Sequence, residues 1–240
     1  MNKPIHPFGS CTLVGCGGTG ATLAPQLARL LCYHPNGPRR LDLVDADTIE
    51  DRNLERQPFA PDQVEISKAD AMTQAVASLV PGLSAHAHSA YLDRPLALRF
   101  LRAEPNPMII LAVDNDATRK ASLEACDMIN GDFLWISPGN ADASAGSGTI
   151  RGTIAWWGRQ EGLAVGVDPR ICFTNIASPG DDIPRVGTCT EQAPSHPQLI
   201  AANFLAAAWT LAVVDAALNG RLTDITGCLF FDGNGLRASS

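Results

Sequence analysis

Short apolar runs alternate with helical periodicity through the first half of the chain. Cys11-Thr-Leu-Val14 reads as a strand and ends in Gly15-Cys-Gly-Gly-Thr-Gly20. Leu23, Leu27, Leu30 and Leu31 then fall on one face of a 3.6-residue period, which predicts a helix over Ala21–Cys32. His34-Pro-Asn-Gly-Pro38 is a turn cluster, and Leu41–Val44 is a second strand closing on Asp45. Ser67-Lys-Ala-Asp70 has the capping-box pattern, with Asp in the slot that Glu or Gln usually fills, and opens a helix to about Val80. A weaker strand follows near Ser84–His88 and a helix near Pro95–Arg102. Pro107–Val113 is the clearest strand and ends at Asp114-Asn115; Asp116 caps a helix over Ala117–Ile129, and Phe133–Ile136 is one more strand. Strands and helices alternating in this way are βαβ units, and their strands run parallel.

The second half has a different texture. Gly139–Gly148 is rich in Gly, Ala and Ser and reads as a mobile loop. Thr149–Trp157 reads as one strand of an antiparallel pair. Gly158–Pro197 is rich in Gly and Pro without periodicity, and a stretch that long in a compact domain serves as a lid or crossover. Leu199–Leu218 is long enough to span a bilayer, but eight of its twenty residues are Ala and it holds Asn203 and Asp215. It reads as a buried core or interface helix, with no membrane partner. Because it is apolar around its circumference and a sheet covers only one side, either a second chain, making a homodimer, or the irregular segment must cover the rest. A final strand lies near Gly227–Phe231.

Composition narrows the classes. The 240 residues carry a net charge of −7 with 18% charged residues, the wrong sign for a nucleic-acid binder. At 45% apolar the chain can bury a sizeable core. Seven cysteines without a CxxC argue against a disulfide framework and against a structural zinc of thiolate type. Met1–Ser10 has no apolar h-region, so a cytoplasmic location is expected.

The polar residues at the strand ends carry the chemistry. Gly15, Gly17 and Gly20 form GxGxxG between a strand and a helix, where backbone N–H groups approach phosphate oxygens at the positive helix end. Asp45 ends the next strand, where it can accept from ribose hydroxyls. Asp47, then Asn53-Leu-Glu-Arg56-Gln57, then Lys68, then Asp114-Asn115 follow in order. In a doubly wound sheet the ends of the first, second and fourth strands open on one crevice. A dinucleotide pyrophosphate gives the two cations and the extra carboxylate no joint role. A triphosphate does: cations balance its charge, and a carboxylate can hold Mg²⁺. The rival classes are an NAD-dependent oxidoreductase, which shares only the glycine turn and Asp45, and a catalytically silent nucleotide-binding partner module. His86 and His88 share a strand face, as a solvated pair or as a metal pair.

GCGGTG, LVDADTIEDRNLERQ, SKADA and AVDNDATR, in that order, resemble the adenylating superfamily of ThiF, MoeB and the ubiquitin-activating enzymes. GTCTE followed by a long apolar helix resembles that family's cysteine-bearing crossover loop and its next helix. Within the superfamily the chain most resembles the ThiF-family protein of PRTRC plasmid systems. The resemblance implies an α/β fold, a Rossmann-like doubly wound, mostly parallel sheet with a C-terminal antiparallel extension and a long crossover loop. It implies one adenylation domain over residues 1–240, with a nucleotide-binding half at 10–138, a substrate-binding half at 139–240 and a crossover at about 158–197.

It also implies roles. Gly15, Gly17, Gly18 and Gly20 would form the ATP turn, Asp45 would bind ribose, and Asp47 and Asn53 would line the site. Arg56, Gln57 and Lys68 would contact phosphates, Asp114 would hold Mg²⁺ with Asn115 beside it, and Cys189 matches the loop cysteine, with Cys172 next in line. The implied reaction is adenylation of the C-terminal carboxylate of a small ubiquitin-like protein with a flexible tail, followed by thioester or sulfur transfer through Cys189. The identity of the acyl substrate stays open. Two departures stand out: no paired CxxC occurs, and Met1–Ser10 lacks the arginine that such homodimers insert into the neighbouring site, leaving Arg39 and Arg40 as substitutes.

Overall fold

The structure is a computed structural model and describes residues 7–140, 151–184, 200–222 and 227–232. The first half alternates β1 (Cys11–Val14), α1 (Gly18–Tyr33), β2 (Arg40–Val44), α2 (Lys68–Leu79), β3 (Ser84–His88), α3 (Arg94–Leu101), β4 (Met108–Leu111), α4 (Asp116–Cys126) and β5 (Phe133–Asn140). There follow β6 (Arg151–Gln160), β7 (Leu163–Gly166), α5 (Pro169–Cys172), α6 (Thr174–Ala177), α7 (Ile200–Leu218) and β8 (Cys228–Asp232).

Every residue of β1 and β4 is buried. Strands of that kind have no side for water, so helices must cover both faces. The side chains divide accordingly. Leu13, Leu41, Leu43 and Ile110 face a core completed by Leu23 and Leu27 of α1, Met72 and Val76 of α2, and Val214 and Leu218 of α7. Val14, Val44, Ile109 and Leu111 face a second core completed by Ala97 and Phe100 of α3, Leu123 of α4 and Ile176 of α6.

The sheet runs β3-β2-β1-β4-β5-β6-β7, and β8 also pairs with β6. Strands β1 to β5 are parallel. β6 is antiparallel to β5, and it carries β8 along Arg151–Ala155 and β7 along Trp157–Gln160. The chain is thus a doubly wound, mostly parallel α/β sheet with an antiparallel extension. The strand order turns back beside β1, which is where such sheets open a crevice at their carboxyl ends.

Several expectations need correction. α1 starts at Gly18, three residues before the apolar period begins, because Gly18, Thr19 and Gly20 already adopt the helical turn. α4 ends at Cys126 and is capped by Asn115, whose Oδ1 accepts from the Thr118 N–H at 2.8 Å. Asp116 is already helical, and its carboxylate pairs with Arg119 at 2.7 Å instead of capping. β5 runs on to Asn140, paired with β6 down to Gly152. The aperiodic stretch after Gly158 contains β7, α5 and α6. Glu161 and Gly162 both take positive φ, 52° and 75°, a tight hairpin turn whose two N–H groups bond Asp132 at 2.7 and 2.9 Å. Gly139 and Asn140 of the expected loop belong to β5, while residues 141–148, residues 185–197 of the expected crossover, and with them Cys189, lie outside the described residues.

α7 is long and apolar enough to cross a membrane. One face, including Ala206, Val213 and Val214, is buried in the domain, while Phe204 and Trp209 on the other are 60% and 41% exposed.

Candidate active site

The carboxyl ends of β1 to β4 and Pro138 within β5 surround one cavity of about 210 Å³. Gly15 leaves β1 with φ +88°, a conformation that glycine adopts without strain, and its N–H bonds the Val44 carbonyl at 2.8 Å. Gly17 is the N-cap of α1 and carries no side-chain cap, so the first N–H groups of the helix have no side-chain partner at that position. Gly15, Gly17, Gly18 and Thr19 line the cavity. Gly20 does not: a Cβ there would lie 1.8 Å from the Gly15 carbonyl oxygen, so this glycine lets α1 pack on β1 and stands apart from the other three.

Asp45 follows β2 and ties the turn to it. Its Oδ2 accepts from the Cys16 N–H at 2.6 Å and its Oδ1 from the Asp47 N–H at 2.8 Å. Burial pushes its carboxyl above the usual range, against the opposing pull of the Lys68 ammonium. Lys68, the first residue of α2 after the Ser67 cap, is 8% exposed and donates to Asp47 Oδ2 at 3.1 Å. The other oxygen of Asp47 accepts from the Tyr91 hydroxyl at 2.8 Å. Burial and the Asp47 carboxylate push that phenol up to about 12.

The segment between β2 and α2 forms the next wall. Asn53 is buried, and its Oδ1 holds the Glu50 N–H at 3.0 Å, so it shapes a short 3₁₀ turn (Asp51–Asn53) as well as lining the cavity. Arg56 and Gln57 follow and line it too. Gln57 Oε1 is buried and has no hydrogen-bond partner among the described residues. A buried acceptor left unpaired costs about 1–3 kcal/mol, which a bound donor would relieve. Across the cavity, Asp114 follows β4 as an exposed carboxylate without a hydrogen bond or ion pair to the described residues. Asn115 lines the cavity beside Asp114, and its Oδ1 caps α4.

So Gly15, Gly17, Gly18, Asp45, Asp47, Asn53, Arg56, Gln57, Lys68, Asp114 and Asn115 meet at one crevice, and Gly20 sits behind it. Thr19, Arg52 and Thr118, which lie inside the motifs without a role of their own there, and Tyr91, which lies outside every motif, also line it; Arg52 is ion-paired with Glu50. His86 bonds Ser84 Oγ and His88 bonds the buried Asp42, at 2.9 and 2.8 Å.

A profile of the ThiF family matches residues 7–145, more than half of the chain. The chain belongs to the ThiF family. It is similar to Ubiquitin-like modifier-activating enzyme 5 of Oryza sativa subsp. japonica, 30% identical over 149 aligned positions that cover 57% of this chain and 34% of that protein. This ThiF-family chain therefore spans about a third of that relative's length. Among solved structures, PaaA superposes with a TM-score of 0.63 at 19% identity, over 95% of this chain and 62% of that one. E. coli MccB with ATP gives 0.61 at 16% identity, over 95% and 61%. At those identities the two structures speak for the fold.

Proposed function

We propose that the crevice binds ATP with Mg²⁺ and transfers AMP to a carboxylate of a second molecule. The observation that carries this reading is the convergence of an uncapped glycine turn, a buried lysine, an arginine and an aspartate without a partner among the described residues on one cavity. The family membership, the activating-enzyme name of the rice relative and the ATP-bearing MccB structure support it.

In this reading the N–H groups of Gly17, Gly18 and Thr19 face phosphate oxygens at the positive end of α1. Asp45, oriented by its two backbone bonds, accepts from the ribose. Gln57 Oε1 accepts from a ligand N–H or O–H. Arg56 and Lys68 balance phosphate charge, with Asp47 and Tyr91 holding Lys68 in place. Asp114 is the residue that would hold Mg²⁺, which commonly takes one or two carboxylates together with phosphate oxygens and waters. When bound, Mg²⁺ supplies further neutralisation of the phosphates.

The nucleophile is a carboxylate with a pKa of about 3.5, already ionised, so no general base is required. Among the described residues no histidine lines the cavity. One carboxylate oxygen attacks the α-phosphorus; the bond to the bridging oxygen breaks, and pyrophosphate leaves with the electron pair. The product is an acyl adenylate. The chain's own contribution is positioning and charge stabilisation.

The finer proposals extend this. The acceptor is the C-terminus of a small ubiquitin-like protein with a flexible tail, within one adenylation domain that works in the cytoplasm. The exposed face of α7, with Phe204, Leu205 and Trp209, is covered by a second copy. The Cys189 thiolate then attacks the acyl carbon of the adenylate, forming a thioester as the bond to AMP breaks and AMP leaves, or carries sulfur instead. The test is carboxylate-dependent ATP–pyrophosphate exchange with a tail-bearing partner. Asp114→Ala should lose about 10²–10³ in rate, the usual effect of removing one charge-stabilising contact. Full exchange by that variant removes Asp114 from the scheme. Tight ATP binding without exchange for any tail-bearing partner points to a silent binding module.

A further inference from the structure

The turn that opens α1 is short of internal support. Gly17, Gly18 and Gly20 are three of four consecutive residues, each costly in backbone entropy to fix, and no side chain caps the helix. Its order must be imposed from outside. One contact comes from the far end of the chain. Asn203 on α7 is 1% exposed, a carboxamide among alanines and leucines. A buried amide in such a helix is unfavourable unless it is hydrogen-bonded. Thr19 Oγ1 donates to Asn203 Oδ1 at 3.0 Å, across 184 positions of sequence. At Gly18, an added Cβ would meet Asn203 first: Nδ2 at 2.2 Å, Cγ at 2.8 Å and Oδ1 at 3.2 Å. Thr19 and Gly18 line the cavity, and Asn203 does not.

We infer that Asn203 is a positioning residue for the crevice: it clamps Gly18 and Thr19 from outside the cavity and so fixes the N–H donors that face the ligand's phosphates. The inference rests on reading the crevice as an ATP site. It also explains the glycine at position 18. There the missing Cβ makes room for Asn203, whereas at position 20 it makes room for the backbone of β1.

The test measures binding and melting on the full chain. Isothermal titration with ATP and Mg²⁺ compares wild type, Asn203→Ala and Ala206→Gly; the last loosens the same helix at a buried position and keeps both partners of the Thr19–Asn203 bond. Asn203→Ala should weaken ATP about tenfold, the equivalent of one net hydrogen bond, while Ala206→Gly stays within about twofold. Asn203→Leu, which removes both polar atoms and keeps the branched outline, replaces Asn203→Ala if that variant does not melt cooperatively. In thermal melts Gly18→Ala should lower the melting temperature in wild type, and much less in the Asn203→Ala background. Asn203→Ala binding ATP as wild type does overturns the inference. So does an equal loss in Ala206→Gly, or a Gly18→Ala penalty that persists without Asn203. Wild type that binds no ATP overturns the ATP reading together with this one, whereas the preceding results overturn this one alone.

Discussion

The glycines of the first turn separate into one that holds the fold and others that face the cavity, and alanine substitution should divide them. A Cβ at Gly20 would sit 1.8 Å from the Gly15 carbonyl oxygen and 2.9 Å from its carbon, both backbone atoms that no rotamer change can move. To reach ordinary contact at 3.4 Å, α1 must withdraw from β1 and disturb the Leu23 and Leu27 packing beneath it. Overpacking of this kind costs about 1–3 kcal/mol, and a shift of a whole helix belongs at the upper end. Replacing glycine by alanine within a helix returns about 0.5–1 kcal/mol. The steric term wins, leaving a net loss of about 2 kcal/mol, or about 4–8 °C in melting temperature for a domain of this size. At Gly17 the nearest atom to an added Cβ is Gln57 Nε2, 3.8 Å away, and φ is −81°, so alanine fits. Gly17→Ala should melt close to wild type while placing a methyl group at the wall of the cavity, and its ATP affinity should fall. Differential scanning calorimetry of the two variants, with titration calorimetry on Gly17→Ala, makes the comparison. Gly20→Ala melting at the wild-type temperature would refute the close-packing account of that position.

Two further outcomes follow from the polar contacts. Arg170 donates to both oxygens of Asp127 at 2.7 and 2.9 Å and lies over the Trp157 ring, tying α5 to the end of α4; Arg170→Ala should cost about 1–2 kcal/mol and speed proteolytic cleavage between residues 167 and 184. Burial raises the Asp42 carboxyl, but hydrogen bonds from Arg40 and His88 outweigh it and hold the folded value below the ordinary 3.8. The stability Asp42 contributes is therefore present above about pH 4 and is lost as the pH falls through the folded value, so urea melts should show wild type and Asp42→Asn converging as the pH falls below about 4.

Much of this architecture is legible in the chain. The β1 and β4 runs are apolar at nearly every position because both faces of the sheet are covered, and Ser67 caps α2 as its spacing predicts, with its Oγ accepting from the Asp70 N–H. What is hard to read depends on contacts between distant residues. α5 and α6 are four residues each, too short for a period, although Asp168-Pro169 is a helix-start pair. β7 hangs on the Glu161-Gly162 turn and its Asp132 anchor. In the site, residues at strand ends could be placed because parallel strands deliver their carboxyl ends to one side. Tyr91 and Asn203 could not, since their reach depends on how β3 and α7 sit against the rest of the domain. Asn115 was visible as a strand-end residue, but its capping bond to Thr118 appears only once α4 is placed.

The central claim is that the crevice is built for a triphosphate. Titration calorimetry of wild type and Lys68→Met with ATP plus Mg²⁺, and with NAD, tests it most directly. Wild type should bind one ATP per chain and release no binding heat with NAD. Lys68→Met should weaken ATP roughly 10- to 100-fold, the range for loss of a hydrogen bond to a charged group. Binding of NAD in preference to ATP, or an ATP affinity that does not change in Lys68→Met, would contradict the account.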